Sequence, residues 1–75
     1  MDYYVIAQKW RNQPENTHRK AGIVLIWQGE VYAWKNSLRD AGCERPGAIA
    51  VDEQGHIFKA EGGNDYDGAK CWVTL

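Results

Sequence analysis

The chain has 75 residues, a formal net charge of −1 and nine aromatic side chains: four Trp, four Tyr and one Phe. That length holds one domain, residues 1–75, and leaves no room for a second. The near-neutral balance speaks against bulk polyelectrolyte binding. Neither a leader nor a membrane span is expected. "MDYYVIAQKW" has no basic region ahead of an apolar one, and the longest apolar run, Gly22–Trp27, is far too short to cross a bilayer. A cytoplasmic protein is therefore expected.

A domain this small buries only about 60% of the surface its unfolded chain exposes. Large side chains are the efficient way to stabilise it, and each aromatic buries roughly 150–250 Å². Most of the aromatics are accordingly expected in the core.

In chain order, Tyr3–Trp10 is predicted as a strand, with Tyr4, Ile6 and Trp10 set against Val5 and Ala7. "RNQPENTHRK", residues 11–20, has no apolar residue and predicts the longest surface loop. "AGIVLIWQGEVYAWK" holds two apolar runs around Gln28-Gly29, a pair suited to a two-residue hairpin turn. The first run is continuous, which predicts a strand covered on both faces. In the second, Val31 and Ala33 are expected on one face, Tyr32 and Trp34 on the other. "KNSLRDAG" predicts one or two helical turns over Ser37–Ala41, capped by Asn36 or Ser37, with Leu38 inward and Gly42 ending it. "CERPG" is a connection in which Pro46 forces its predecessor, Arg45, into an extended conformation. "AIAVDEQGHIFKA" repeats the hairpin logic, and "CWVTL" is the last strand. "IVLIWQGEVYA" and "AIAVDEQGHIF" superpose at Gln-Gly with an offset of 26 residues, as two hairpins of a meander do without any duplication.

These elements predict an α+β, mostly β fold. A small twisted antiparallel sheet of five or six strands, free to curl into an open barrel, is accompanied by one short helix near residues 37–41.

The chemistry-bearing residues are few. Cys43 and Cys71 form no Cys-x-x-Cys pair and no His lies at zinc-finger spacing, so two reduced, partly buried thiols are expected and no cofactor. "AEGGNDYDGAKCW", residues 60–72, invites a calcium reading. With Gly68 at position six of an EF-hand loop, Asp65 and Asp67 stand at three and five. Position one is then Gly63 and position twelve Thr74, so the first ligand and the bidentate Glu are both missing. A looser divalent-metal cage of Glu61, Asn64, Asp65 and Asp67 is one alternative. A wide turn held by side-chain bonds of Asn64 and Asp65 is the simpler account. The same stretch lacks the Lys and Ser/Thr of a phosphate-binding loop. The two thiols could serve as nucleophiles beside His18 or His56, but nothing in the sequence brings them together, and no enzyme is expected.

A single-stranded nucleic-acid-binding barrel is the second alternative. Lys9, Arg11, Arg19 and Lys20 gather near the first loop with Trp10 and His18, and Trp27, Tyr32 and Trp34 could stack bases. Against it, residues 48–75 carry two Lys/Arg and five Asp/Glu, so any cationic stripe is local. Those five acids, Asp52, Glu53, Glu61, Asp65 and Asp67, suggest instead an acidic edge for a basic partner. The expected function is therefore a small non-enzymatic protein-binding or regulatory accessory module. It would meet a protein partner, or a second copy of itself, through Trp10, Trp34, Tyr66, Asp67 and Trp72. Within the loop, Tyr66 and Asp67 are the expected contact residues.

Overall fold

A computed structural model describes residues 2–19, 21–38 and 40–75 of the chain. It is a small α+β fold, mostly β: one α-helix lies against a five-stranded, wholly antiparallel sheet.

The first element corrects the sequence expectation. Tyr3–Arg11 is an α-helix, α1, rather than a strand. Asp2 stands before it in extended conformation and accepts a hydrogen bond from the backbone N–H of Val5 at 3.2 Å, the N-cap arrangement. Tyr3, Ile6, Ala7 and Trp10 fall at i, i+3, i+4 and i+7, and that stripe packs against the sheet. Tyr4 and Val5, which a strand would also have used, face solvent. Within the predicted loop lies a 3-10 helix, Pro14–Arg19.

The strands are β1 (Ile23–Trp27), β2 (Glu30–Lys35), β3 (Ile49–Val51), β4 (Ile57–Glu61) and β5 (Cys71–Thr74). Their order across the sheet is β2-β1-β3-β4-β5, so β2 and β5 are the two edges and the sheet is open, not a closed barrel. The β1–β2 turn is built as expected: Gln28 and Gly29 both have positive φ, 52° and 84°, the twist a two-residue hairpin needs.

The expected alternation in β2 fails for a specific reason. The register slips between Leu25 and Ile26, where Leu25 faces Ala33 but Ile26 faces Val31. Tyr32 is the extra residue of a β-bulge, which re-aims the side chains after it. Val31 and Trp34 consequently share the helix-side core, while Ala33 joins the opposite one.

Each face of the sheet has its own cover. On one, Val24, Ile26, Ile49 and Val51 pack against α1. On the other, Ile23, Leu25 and Ala50 pack with Phe58 and Trp72, and Ala48, Ala60 and Ala69 pack with Ala41. β1 is thus buried on both faces, as its continuous apolar run predicts. Ala41 belongs to the connection from β2 to β3. Because β3 pairs with β1 on the side away from β2, this connection must pass over β1, and it covers the second face on the way.

No helix spans 37–41. Asn36 and Ser37 bend, Leu38 is exposed, and Arg39 lies outside the described residues. A 3-10 turn follows at Ala41–Cys43. The Asp40 carboxylate accepts from the N–H of Gly42 at 2.8 Å, so this residue starts a turn instead of sitting inside one.

Arg11, at the end of α1, is only 4% exposed. Its Nη2 donates to the carbonyls of Gly22 at 2.8 Å and Val51 at 3.1 Å, and its Nη1 to that of Asp52 at 3.1 Å. Burial lowers its pKa from the ordinary arginine value, against the attraction of Asp52 and Glu53. This side chain ties the helix to the start of β1 and the end of β3. It is spent on carbonyls, which corrects its assignment as a phosphate contact. Replacing it leaves buried acceptors without donors. Arg11→Met is expected to lower stability by about 2–4 kcal/mol in urea unfolding at unchanged m-value. A loss under about 1 kcal/mol would show that the three carbonyls find other donors.

Candidate functional site

The site is built from the loop between β4 and β5 and from the connection that crosses the second face. Asn64 organises the loop. Its Oδ1 accepts from the backbone N–H of Tyr66 at 2.9 Å and of Asp67 at 2.7 Å, and its Nδ2 donates to Asp67 Oδ2 at 3.3 Å. Its backbone carbonyl accepts from Gly68 N–H at 2.8 Å. The side-chain bonds expected of Asn64 are therefore present, whereas among the described residues the Asp65 side chain makes none of those expected of it, and Asp67 is the carboxylate bonded within the turn. With its Oδ1 engaged twice within the turn, that oxygen has less to offer a metal, which weakens the cage alternative. Among the described residues no three His, Cys, Asp or Glu converge as metal ligands.

The loop is pressed onto the connection at Gly68. Gly68 has φ of +87°, and a Cβ there would stand 2.1 Å from the carbonyl oxygen of Gly42. Next to it, Ala69 N–H donates to the Glu44 carbonyl at 2.8 Å. Two backbones meet here without a side chain between them, so the loop has a fixed path.

Between the loop and the connection lies an open groove of about 520 Å³. Trp27, Tyr32 and Tyr66 supply its aromatic walls, and Glu44, Arg45, Asp65 and Asp67 its charges. Glu44 is 7% exposed, and its carboxylate is paired: Lys35 Nζ donates to Oε2 at 2.6 Å and the Tyr32 hydroxyl donates to Oε1. Burial, the hydrogen bond to Glu44 and the Glu44 charge together raise the Tyr32 pKa above the ordinary tyrosine value. Arg45 places its guanidinium over the Trp27 ring, 4.8 Å from the centroid. Tyr66 is 96% exposed, although the backbone beneath it is held by Asn64.

The five residues expected at a partner surface do not form one surface. Tyr66 and Asp67 line this groove. Trp10 and Trp34 line a second cleft of about 350 Å³ beside the β2 edge, on the helix side, and both pack on the core. Trp34 also donates its indole N–H to the Ala21 carbonyl at 2.8 Å. Trp72 is half-buried against the alanines of the second face. Of the residues expected at phosphates, Lys9 is exposed and Arg11 buried; Arg19 lies in the 3-10 helix, its side chain beyond those described, and Lys20 lies outside the described residues. Cys43 and Cys71 are free thiols, as expected, but exposed rather than partly buried. Cys43, Glu44 and Arg45 were not expected at a site. Nothing local in "CERPG" marks them, since the crossing of the connection over β1 is what brings them to Tyr66.

Compared with family models, with curated proteins and with solved structures, the chain matches none.

Two expectations follow from this geometry. Gly68→Ala incurs about 1–3 kcal/mol for the left-handed φ alone, besides the collision with Gly42. It should lower Tm by at least roughly 4–8 °C, with faster amide exchange at Tyr66 and Asp67. Native exchange in that variant would mean that the loop does not depend on its seat. The raised Tyr32 pKa favours the neutral phenol in the folded state. Its contribution is complete below the unfolded tyrosine value near 10 and disappears as pH rises through the folded value. Stability relative to Tyr32→Phe should therefore fall above about pH 10. A difference that stays constant, or grows, with alkalinity would exclude the Tyr32–Glu44 bond.

Proposed function

We propose that the protein is a small, non-enzymatic protein-binding module of the cytoplasm, an accessory or regulatory component. It docks a partner protein through the groove between the 62–70 loop and residues 41–45. The observation that carries this reading is Tyr66: an aromatic ring 96% exposed, on a loop whose backbone is fixed by Asn64 and seated on Gly42. Tyrosine is a frequent interface anchor because it offers large contact area at little conformational cost. A preformed loop lowers the ordering cost of binding further. Trp27 and Tyr32 extend the aromatic surface across the groove.

An enzymatic reading has less support. The Glu44 carboxylate is paired with Lys35 and Tyr32, and the groove is open to water. A nucleic-acid reading is weakened by the burial of Arg11 and by the carboxylates of Asp65 and Asp67 at the groove.

The test is photo-crosslinking in the native host, with a benzophenone amino acid at position 66 and, separately, at exposed position 54 on the β3–β4 turn. The expected result is a discrete protein adduct from position 66 that is absent from position 54, with recovery of the same partner by the unlabelled protein reduced in Tyr66→Ala. Recovery unaffected by Tyr66→Ala, or adducts no different between the two positions, would remove the groove as the docking surface.

A further inference from the structure

The same groove carries a more specific reading, which rests on the docking proposal and names the chemistry of the partner. Four ionisable groups with full charges line it: the carboxylates of Glu44, Asp65 and Asp67 and the guanidinium of Arg45. Glu44 is answered by Lys35 at 2.6 Å. That leaves Asp65 and Asp67 on the exposed loop, one on each side of Tyr66 in sequence. Among the described residues Arg45 makes no ion pair; its guanidinium lies over Trp27 instead, 4.8 Å from the ring centroid. The groove therefore already receives one arginine side chain, from its own wall. An indole face accepts a planar, weakly hydrated cation, and carboxylates nearby supply the charge that such a cation seeks.

Tyr66 repeats these components, and among the described residues no cation lies over its ring. Its ring is exposed, and the adjoining carboxylates belong to a loop whose backbone is held by Asn64. We propose that the groove binds arginine side chains of an extended basic segment in a partner protein. One guanidinium stacks on Tyr66 beside Asp65 and Asp67, and Arg45 competes with the segment for Trp27. Arginine is favoured over lysine because a planar guanidinium can stack on a ring and fork onto a carboxylate at once, whereas an ammonium is a compact, strongly hydrated point charge. Phosphate-bearing ligands are disfavoured by the same two carboxylates.

The experiment is an amide-spectrum titration of the full chain at low salt with the blocked peptide acetyl-Gly-Arg-Gly-Arg-Gly-amide. Matched peptides carry lysine or citrulline in place of arginine. Citrulline keeps the planar shape and removes the charge. The arginine peptide should give saturable shifts at residues 43–45 and 64–68, with a dissociation constant on the order of a millimolar. The lysine peptide should bind at least about threefold more weakly, and the citrulline peptide should give no saturable shift. Asp65→Asn/Asp67→Asn should weaken binding about tenfold and Tyr66→Ala about fivefold, each with the rest of the spectrum native. Arg45→Gln should strengthen it, because the competing guanidinium is gone.

Equal binding of arginine and citrulline peptides overturns the proposal. So do saturable shifts confined to the Trp10–Trp34 cleft or the β5 edge, or weaker binding in Arg45→Gln. The two readings also separate. If Tyr66→Ala loses the natural partner but Asp65→Asn/Asp67→Asn keeps it and the arginine peptide does not bind, docking stands and arginine recognition falls. If the partner is retained by both variants, both readings fall.

Discussion

A five-stranded open sheet has two faces to take out of water, and among the described residues there is one α-helix, of nine residues, for the task. The rest of the structure follows from how the second face is covered. No second α-helix is found among the described residues, and the β2–β3 connection does it. Because β3 pairs with β1, the connection must cross over β1, and it lies close to the sheet. Ala41, Ala48, Ala60 and Ala69 form the contact, small side chains that let backbone segments approach. The side chain of Glu44 on this connection is brought under cover as well. An ionised carboxylate so placed is tolerable only with partners, and Lys35 and Tyr32 of the edge strand provide them. The β-bulge belongs to the same solution. By adding Tyr32 as an extra residue, it keeps Val31 and Trp34 toward the helix while freeing the Tyr32 hydroxyl to reach Glu44 on the opposite side.

The helix side is closed differently. Ala7 lets α1 sit near the sheet, with Ile6 and Trp10 filling the flanks. Arg11 fixes the angle at which the helix leaves, since its donors reach Gly22 ahead of β1 and Val51 and Asp52 at the end of β3. Asp52 serves this junction twice: its carbonyl receives Arg11 while its carboxylate holds the following turn. Burial alone would raise that carboxyl's pKa. Hydrogen bonds from the His56 backbone and ring and from Gln54 N–H outweigh it, so the net shift is downward. The contribution is present above the ordinary carboxylate range and is lost as pH falls through the lowered value.

The hairpins were legible in the sequence because their determinants are local. Gln28-Gly29 and the Asp52–Gly55 turn each stand between apolar runs, and the unbroken run Ile23–Ile26 announces burial on both faces. The helix was not legible by the same criterion. Over Tyr3–Trp10 the apolar residues fit a period of two as well as a period of 3.6, since both templates claim Ile6 and Trp10. What decides is at the ends: Asp2 as cap, and Arg11 on the buried stripe eight positions after Tyr3. A charged residue at a core position argues against itself until its carbonyl partners are known, and those come from 11 to 41 residues away. The bulge at Tyr32 was invisible for a similar reason: nothing local marks the extra residue, and its hydroxyl partner, Glu44, lies on the connection.

The site divides along the same line. Asn64, Tyr66 and the glycines around them are one local motif, so the Asn64 turn could be read directly, although Asp67 and not Asp65 is the carboxylate that joins it. The opposing wall could not. Cys43, Glu44 and Arg45 reach the loop only because the chain crosses the sheet between β2 and β3, a choice made by strand pairing and not by any residue in that stretch. This division has a physical consequence for recognition. The loop is held by its own Asn64 network, while Trp27 and Arg45 sit on a β-strand and on the connection pressed against the sheet. Neither wall would have to order itself were a ligand to dock there. Any ordering cost of association would then fall on the incoming chain, so a segment already restrained in an extended form would dock there more tightly than a flexible one of the same sequence.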